Sequence, residues 1–295
     1  MTEQTTYCSV IAKDHQLPLI GTATEGKVWF LLEYPPAWES KAFDGANIPE
    51  EVKAHLTSAV EGVRILLIRK SVKSGKDGLR FFIGITDTQS PVLYEYKIGE
   101  YRDLLAIDLG FLAAGMPGDP AHLREEPLYL ACTNGKRDLC CAKFGMEAFK
   151  AMAAADPDAV WQSSHIGGHN KGPVTLFFPH GLNYGMTSPD DIRTLMAEYQ
   201  QGRVGLDFYR GRVGYSTPVQ AAEHFWRQQT GILDLPGMEV VSVEALGEEE
   251  WQIEIQGVDG ENQISFHIRR EVSEEEIPMT CSGKKVEKIN RFALV

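Results

Sequence analysis

The sequence contains no long apolar run; the longest, residues 111–116 (FLAAGM), is far too short to cross a bilayer. It also lacks an internal repeat or a low-complexity tract, which excludes fibrous and disordered classes. The opening stretch MTEQTTYCSV has an acidic Glu3 and no apolar segment, so a soluble, untargeted, cytoplasmic protein is expected. Positive charge is in short supply: 29 Lys and Arg face 41 Asp and Glu, for a formal net charge of -12. That balance repels nucleic acid and anionic membranes and suits a basic protein partner. Cysteine is sparse, and the five present, at positions 8, 132, 140, 141 and 281, are odd in number with three crowded together. A secreted disulfide scaffold does not distribute cysteines this way. Lone cysteines such as Cys8 and Cys281 ordinarily behave as small buried hydrophobes, and that role is expected of them here. Against these absences, 295 residues, 43% of them hydrophobic, suffice for one large core or two modest ones.

Residues 28–34 (VWFLLEY), 63–69 (VRILLIR), 79–86 (LRFFIGIT) and 92–98 (VLYEYKI) are short, apolar and rich in β-branched and aromatic residues, as strands are. Between the first two, residues 49–60 (PEEVKAHLTSAV) open with proline and two glutamates and space Val52, Leu56 and Val60 four apart, which predicts an amphipathic helix. Up to about residue 115 the chain therefore reads β-α-β-β-β. After the turn-rich 115–120 (GMPGDP), residues 127–131 (PLYLA) predict a strand running into Cys132. Residues 146–155 (MEAFKAMAAA) predict a helix that stops at Asp156-Pro157, and 160–163 and 174–178 two further strands. Ser188 in an N-cap position, with Asp190 and Asp191 behind it, predicts a helix over 189–201. Beyond Pro236, residues 238–245, 251–256 and 264–270 alternate with period two, as in an antiparallel meander. The acidic run 274–276 and the Lys284-Lys285 pair read as solvated surface.

Two segments stand apart chemically. Residues 132–141 (CTNGKRDLCC) place eight residues between the outer cysteines, and residues 165–169 (HIGGH) hold two imidazoles either side of a Gly-Gly pair. Both are strand-to-loop exits in one α/β unit, where functional loops sit. Two thiols and two imidazoles make a tetradentate set of soft and borderline ligands that suits zinc or iron-sulfur rather than magnesium or calcium. Cys141 falls at a predicted helix N-terminus with Lys136, Arg137 and Lys143 close by, and both features favour thiolate. Two adjacent glycines would cost a helix about 2 kcal/mol relative to alanine, so HIGGH is expected to be a loop that folds both imidazoles inward. The other six histidines carry no such pairing and are expected to be ordinary surface or core residues. Spacing leaves zinc and iron-sulfur both open, and Cys-x8-Cys, longer than a zinc knuckle, leans toward a cluster.

At this point the residues resemble a known family. CTNGKRDLCC and HIGGH, then Phe178-Pro179-His180-Gly181 with Tyr184-Gly185, Arg210-Gly211-Arg212 and Val219-Gln220-Ala221-Ala222-Glu223, are similar to the sucrase/ferredoxin-like family. The early Gly21-Thr22-Ala23, with Leu32-Glu33 and Trp38, agrees. The resemblance implies an α/β (α+β) chain: a thioredoxin-like ferredoxin domain over 119–232, preceded by a degenerate thioredoxin-like unit over 1–118 and followed by a β-rich extension over 233–295. It further implies a [2Fe-2S] cluster held by Cys132, Cys141, His165 and His169, with Cys140 a non-ligand neighbour. The chain departs from the family pattern at Asn134, where the family often has His, and at Asn170-Lys171-Gly172, where it has Arg-Phe-Ala; neither change touches an implied ligand.

Replacing two thiolates by neutral imidazoles raises a cluster's potential above that of an all-cysteine site. Arg137, Arg210 and Arg212 are expected at the cluster rim or in partner docking, and the acidic balance suits a redox partner with a basic face. The expected function is electron transfer or redox chemistry rather than a stand-alone enzyme. No carboxylate pair supports a glycosidase. Two alternatives stay beside it: a thioredoxin-like thiol oxidoreductase using Cys140 or Cys141, although the sequence has no Cys-x-x-Cys pair, and a structural zinc module.

Overall fold

The structure, a computed structural model, describes residues 7–70, 78–86 and 89–295, without the side chain of His169. After a short helix α1 (Cys8–Asp14) the chain forms β1 (Val28–Glu33), α2 (Glu50–Ser58), β2 (Arg64–Arg69), β3 (Leu79–Ile85), β4 (Val92–Ile98) and α3 (Gly110–Ala114). It continues with β5 (Leu128–Cys132), α4 (Leu139–Ala155), β6 (Val160–Ser163), β7 (Val174–Phe178), β8 (Leu182–Gly185), α5 (Pro189–Gln200), β9 (Tyr209–Arg212) and α6 (Thr217–Thr230). The last four elements are β10 (Met238–Ala245), β11 (Glu250–Gly257), β12 (Ile264–Pro278) and β13 (Val286–Leu294).

Nine strands form one sheet in the order β4-β3-β1-β2-β6-β5-β7-β8-β9. In its second half β5 and β6 are parallel and joined through α4, while β7 and β8 return antiparallel and lead into α5. This is the thioredoxin-like arrangement. The first half repeats it: β1 and β2 are parallel and joined through α2, β3 lies antiparallel to β1, and β4 antiparallel to β3. The two halves meet through their equivalent second strands, where β2 pairs antiparallel with β6 at Ile68↔Ser163 and Arg69↔Gln162. Over four strands the order therefore reads the same outward from that seam in both directions, with β9 added beyond β8, and each half covers an otherwise exposed strand edge of the other.

Alternation along the strands sorts residues onto the two faces. Phe30 and Leu32 join a core under α2 that belongs to the first half, and Tyr129 and Ala131 join one under α4 and α5 that belongs to the second. Trp29, Leu31, Leu128, Leu130 and Cys132 point the other way, into a core shared by both halves. Cys132 is thus the last apolar position of a fully buried strand, and its sulfur faces the shared core.

Helix α5 begins as the sequence indicates, with Ser188 and Asp191 in a reciprocal capping box. The meander is present as a four-stranded antiparallel sheet, β10-β11-β12-β13, with α6 packed on it through Val219, Ala222 and Trp226. The helix expected at 146–155 in fact starts at Leu139, so Cys140 and Cys141 lie in its first turn. Helices α1, α3 and α6 and strands β8, β9 and β13 are additions to the sequence reading. Among the described residues, no helix is long and apolar enough to cross a membrane.

Candidate metal centre

The centre is built at the ends of β5 and β6, which are parallel and so deliver their following loops to the same side. After Cys132 the chain turns tightly, with the Arg137 and Asp138 amides both donating to the Asn134 carbonyl, at 3.1 and 3.2 Å. Asp138 then caps α4, its carboxylate accepting from the Cys140 amide at 3.1 Å. This brings Cys141 round to face Cys132. Closure depends on Gly145, one turn further on: a Cβ there would collide with the Cys132 carbonyl oxygen. Without a side chain at that position, α4 can lie directly against the end of β5.

The third group comes from the loop after β6. Gly167 and Gly168 take φ of 125° and 68°, a conformation that bars side chains and turns the loop back on itself. HIGGH is therefore a loop, as its glycines indicate. Ile166 is buried in the shared core and anchors it, while His165 Nδ1 lies 3.9 Å from the Cys132 sulfur. The ligand atoms of Cys132, Cys141 and His165 all lie within 4.8 Å of one another. His169 opens the single 3₁₀ turn His169–Lys171 on the same loop, but its side chain lies outside the described residues.

The electrostatics favour anionic sulfur at the strand end. The Cys132 thiol is pulled well below its usual range by a hydrogen bond from the Cys141 thiol, with His165 and the Ile166 amide adding to the effect. Cys141, as the donor of that bond and itself buried, is raised in turn. The pair shares one proton in the absence of a metal, and a bound cation would displace it.

The arginines fall in three different places. Arg137 is exposed on the loop between the two cysteines. Arg210 is 2% exposed and supports the centre from behind: its guanidinium donates to the carbonyl and hydroxyl oxygens of Thr22 and, at 3.3 Å, to the Gly167 carbonyl. Arg212, also 2% exposed, is not brought to the centre; it pairs with Glu223 at 2.9 Å and donates to the Leu235 carbonyl. An alternating strand puts Arg210 and Arg212 on the same face, but only the first reaches the HIGGH loop, so a docking role for Arg212 has no exposed guanidinium to act through.

Other family-like motifs serve as struts. Gln220 exchanges hydrogen bonds with the backbone of Ala23, at 3.0 and 3.2 Å, and Glu223 holds Arg212, Arg227 and the Tyr209 hydroxyl. The sequence reading missed Thr22, Gln220 and Glu223 as supports, and their only signal is membership of those motifs. Asn170, 1% exposed, has side-chain nitrogen and oxygen without a hydrogen-bond partner among the described residues. It lines a cavity of about 250 Å3 behind the loop together with Gly168, Lys171 and Arg210. Burial beside Arg210 pushes Lys171 down to about 8.

Cys140 points away from this centre. Its sulfur lies 3.5 Å from that of Cys8 and 3.1 Å from that of Cys281, so three cysteines that the sequence reading kept apart meet.

No curated protein matches the chain. Two solved structures, both cysteine-to-serine variants of the thioredoxin-like [2Fe-2S] ferredoxin from Aquifex aeolicus, are similar over 30% of this chain and all of theirs, at 17% and 18% identity and a TM-score of 0.26. The profile described as sucrase/ferredoxin-like matches residues 19–211, a span running from the Thr22 strut to the Arg210 support and including both ligand segments. The chain belongs to the sucrase/ferredoxin-like family.

Proposed function

We propose that this protein is a [2Fe-2S] redox carrier whose cluster is held by Cys132, Cys141, His165 and His169. The observation that carries the reading is the convergence of two buried thiols and an imidazole within 4.8 Å, on loops whose backbone is shaped for that approach by Gly145, Gly167 and Gly168. The donor set fits the group: the Cys132 sulfur sits in surroundings that favour thiolate, the Cys141 thiol shares its proton with it, and imidazole is a good ligand to iron. When bound, such a cluster supplies one-electron transfer at a potential above that of an all-cysteine site. The chain's own residues then bind it, screen one side of it from water through the shared core, and hold the HIGGH loop through Arg210. The net acidic balance is what a basic redox partner would recognise.

The thiol-oxidoreductase alternative is poorly supported. Cys140 and Cys141 are 0% and 3% exposed, whereas a nucleophilic thiol must be reached by its substrate. A single zinc ion keeps one point in its favour, since the 3.9 Å between the Cys132 sulfur and His165 Nδ1 is near the spacing of two ligands on one tetrahedral ion.

The test is a visible spectrum with iron, sulfide and zinc quantified, on protein purified without oxygen or chelator. About two iron per chain and a dithionite-bleachable charge-transfer spectrum are expected, both lost in Cys132→Ser. Colourless protein whose metal is zinc, released by the same substitution, would replace the cluster with the zinc reading.

A further inference from the structure

Cys8, Asp138, Cys140 and Cys281 come from three remote parts of the chain: the start of α1, the N-terminus of α4, and the turn between β12 and β13. Their ligand atoms lie within 4.8 Å of one another. The sulfurs are separated by 3.5 Å (Cys8 and Cys140), 3.1 Å (Cys140 and Cys281) and 3.7 Å (Cys8 and Cys281), and Asp138 Oδ1 lies 3.7 Å from the Cys8 sulfur. A tetrahedral zinc ion, with bonds of about 2.3 Å to sulfur and about 2.1 Å to oxygen, sets its ligands about 3.8 Å (S···S) and about 3.6 Å (S···O) apart. The four groups therefore already lie at about the spacing of a closed Cys3Asp shell. A disulfide does not account for them, because bonding two of the sulfurs leaves the third and the carboxylate facing a covalent pair.

Two of the three sulfurs accept hydrogen bonds from neighbouring donors. The amide and hydroxyl of Ser9 both donate to the Cys140 sulfur, at 3.4 and 3.1 Å, and the Cys8 amide donates to the Cys281 sulfur at 3.4 Å. Asp138 is held by the Cys281 amide at 3.0 Å on one oxygen and by the Cys140 amide at 3.1 Å on the other. Such donors orient ligands and offset their charge, as outer-shell contacts do in metal sites. Cys8 and Cys140 are fully buried and Cys281 is half-buried, so the shell is closed, as in structural rather than catalytic zinc sites.

We infer that Cys8, Cys140, Cys281 and Asp138 form a second metal site, a structural zinc centre distinct from the one at Cys132, Cys141 and His165. The ion staples α1 and the β12–β13 hairpin onto the first turn of α4. The site does not depend on the redox proposal, and the two can fail separately.

The test uses the full chain, produced in zinc-supplemented medium and purified without oxygen or chelator, with zinc and iron counted in the wild type and in Cys8→Ser/Cys281→Ser. The wild type is expected to hold about one zinc, which the double variant loses while its iron content and visible spectrum stay unchanged. Should the variant fail to fold, wild-type protein from cobalt-supplemented medium gives the readout instead: thiolate-to-cobalt charge transfer and tetrahedral ligand-field bands that zinc abolishes. Zinc retained by the folded double variant, absence of both zinc and cobalt bands from the wild type, or a Cys140–Cys281 disulfide in anaerobic protein overturns the inference. So does loss of iron together with zinc in a folded double variant. Zinc that follows Cys8 and Cys281 in iron-free protein upholds it while removing the redox proposal.

Discussion

Gly145 of α4 stands against the carbonyl oxygen of Cys132, a contact that only a residue without Cβ permits. The pairing of Cys132 with Cys141 depends on it, since Cys141 lies one helical turn before Gly145 on the same helix.

Gly145→Ala should therefore force α4 away from the end of β5. A loss of about 1–3 kcal/mol of stability is expected, as for an overpacked core, together with weaker metal retention at the centre. Thermal melting and metal content per chain, measured side by side, check this. A variant with wild-type values for both would show that the helix moves without disturbing the sulfurs.

Gly168 and Arg210 form the second constraint. Gly168 has φ of 68°, and a Cβ there would meet the Arg210 guanidinium that holds Thr22 and the Gly167 carbonyl. Arg210→Lys keeps the charge but cannot make all three contacts. It is expected to lower metal retention at the centre and cost about 1–3 kcal/mol for the carbonyls left unpaired. Metal release rates under chelator, wild type against variant, give the answer.

Glu223 is fully buried between Arg212 and Arg227, at 2.9 and 3.0 Å, and also accepts from the Tyr209 hydroxyl. Despite burial, the two guanidinium groups hold its carboxyl below the usual range. Glu223→Gln leaves two buried cations without their shared anion, and a loss of about 3–5 kcal/mol is expected. Replacing all three by apolar residues of similar volume should recover much of it. Chemical denaturation of the two variants tests both halves.

His180 provides the pH dependence. Burial, helped by Arg212, pushes its imidazole down to about 4, and its Nδ1 lies 2.6 Å from the Tyr199 hydroxyl. In the unfolded chain the same group titrates near 6.5. Between about pH 6.5 and about pH 4 the unfolded chain takes up the proton and the folded chain does not. Stability present above that window is thus lost as pH falls through it, by at most about 3 kcal/mol. His180→Phe should flatten the melting-temperature profile over the same window. An unchanged slope would assign the acid sensitivity elsewhere.

Much of this architecture was legible before any coordinates. The runs at 28–34, 79–86 and 92–98 are strands because β-branched and aromatic residues fit a surface buried on both sides, and HIGGH is a loop because Gly-Gly is too costly in a helix. The apolar period marks helix α4 only from residue 146, but Cys141 lies at its N-terminus as the sequence indicates, and the Asp138 cap, a local hydrogen bond, sets the boundary. Arg210 and Arg212 look alike in sequence. Their different roles follow from what lies opposite each on the packed face: the HIGGH loop for one and Glu223 for the other.

By itself the sequence determined many of the local elements, the family and the two segments that supply Cys132, Cys141 and His165, because propensity, capping and motif spacing act over a few residues. Only the tertiary structure decided that two β-α-β-β-β units join edge to edge through β2 and β6, since an edge pairing is chosen by two strands 90-odd residues apart. It alone also brought Cys8, Cys140 and Cys281 together, because the contact between residues 8 and 281 has no sequence period and exists only once α1 and the β12–β13 turn have packed against α4.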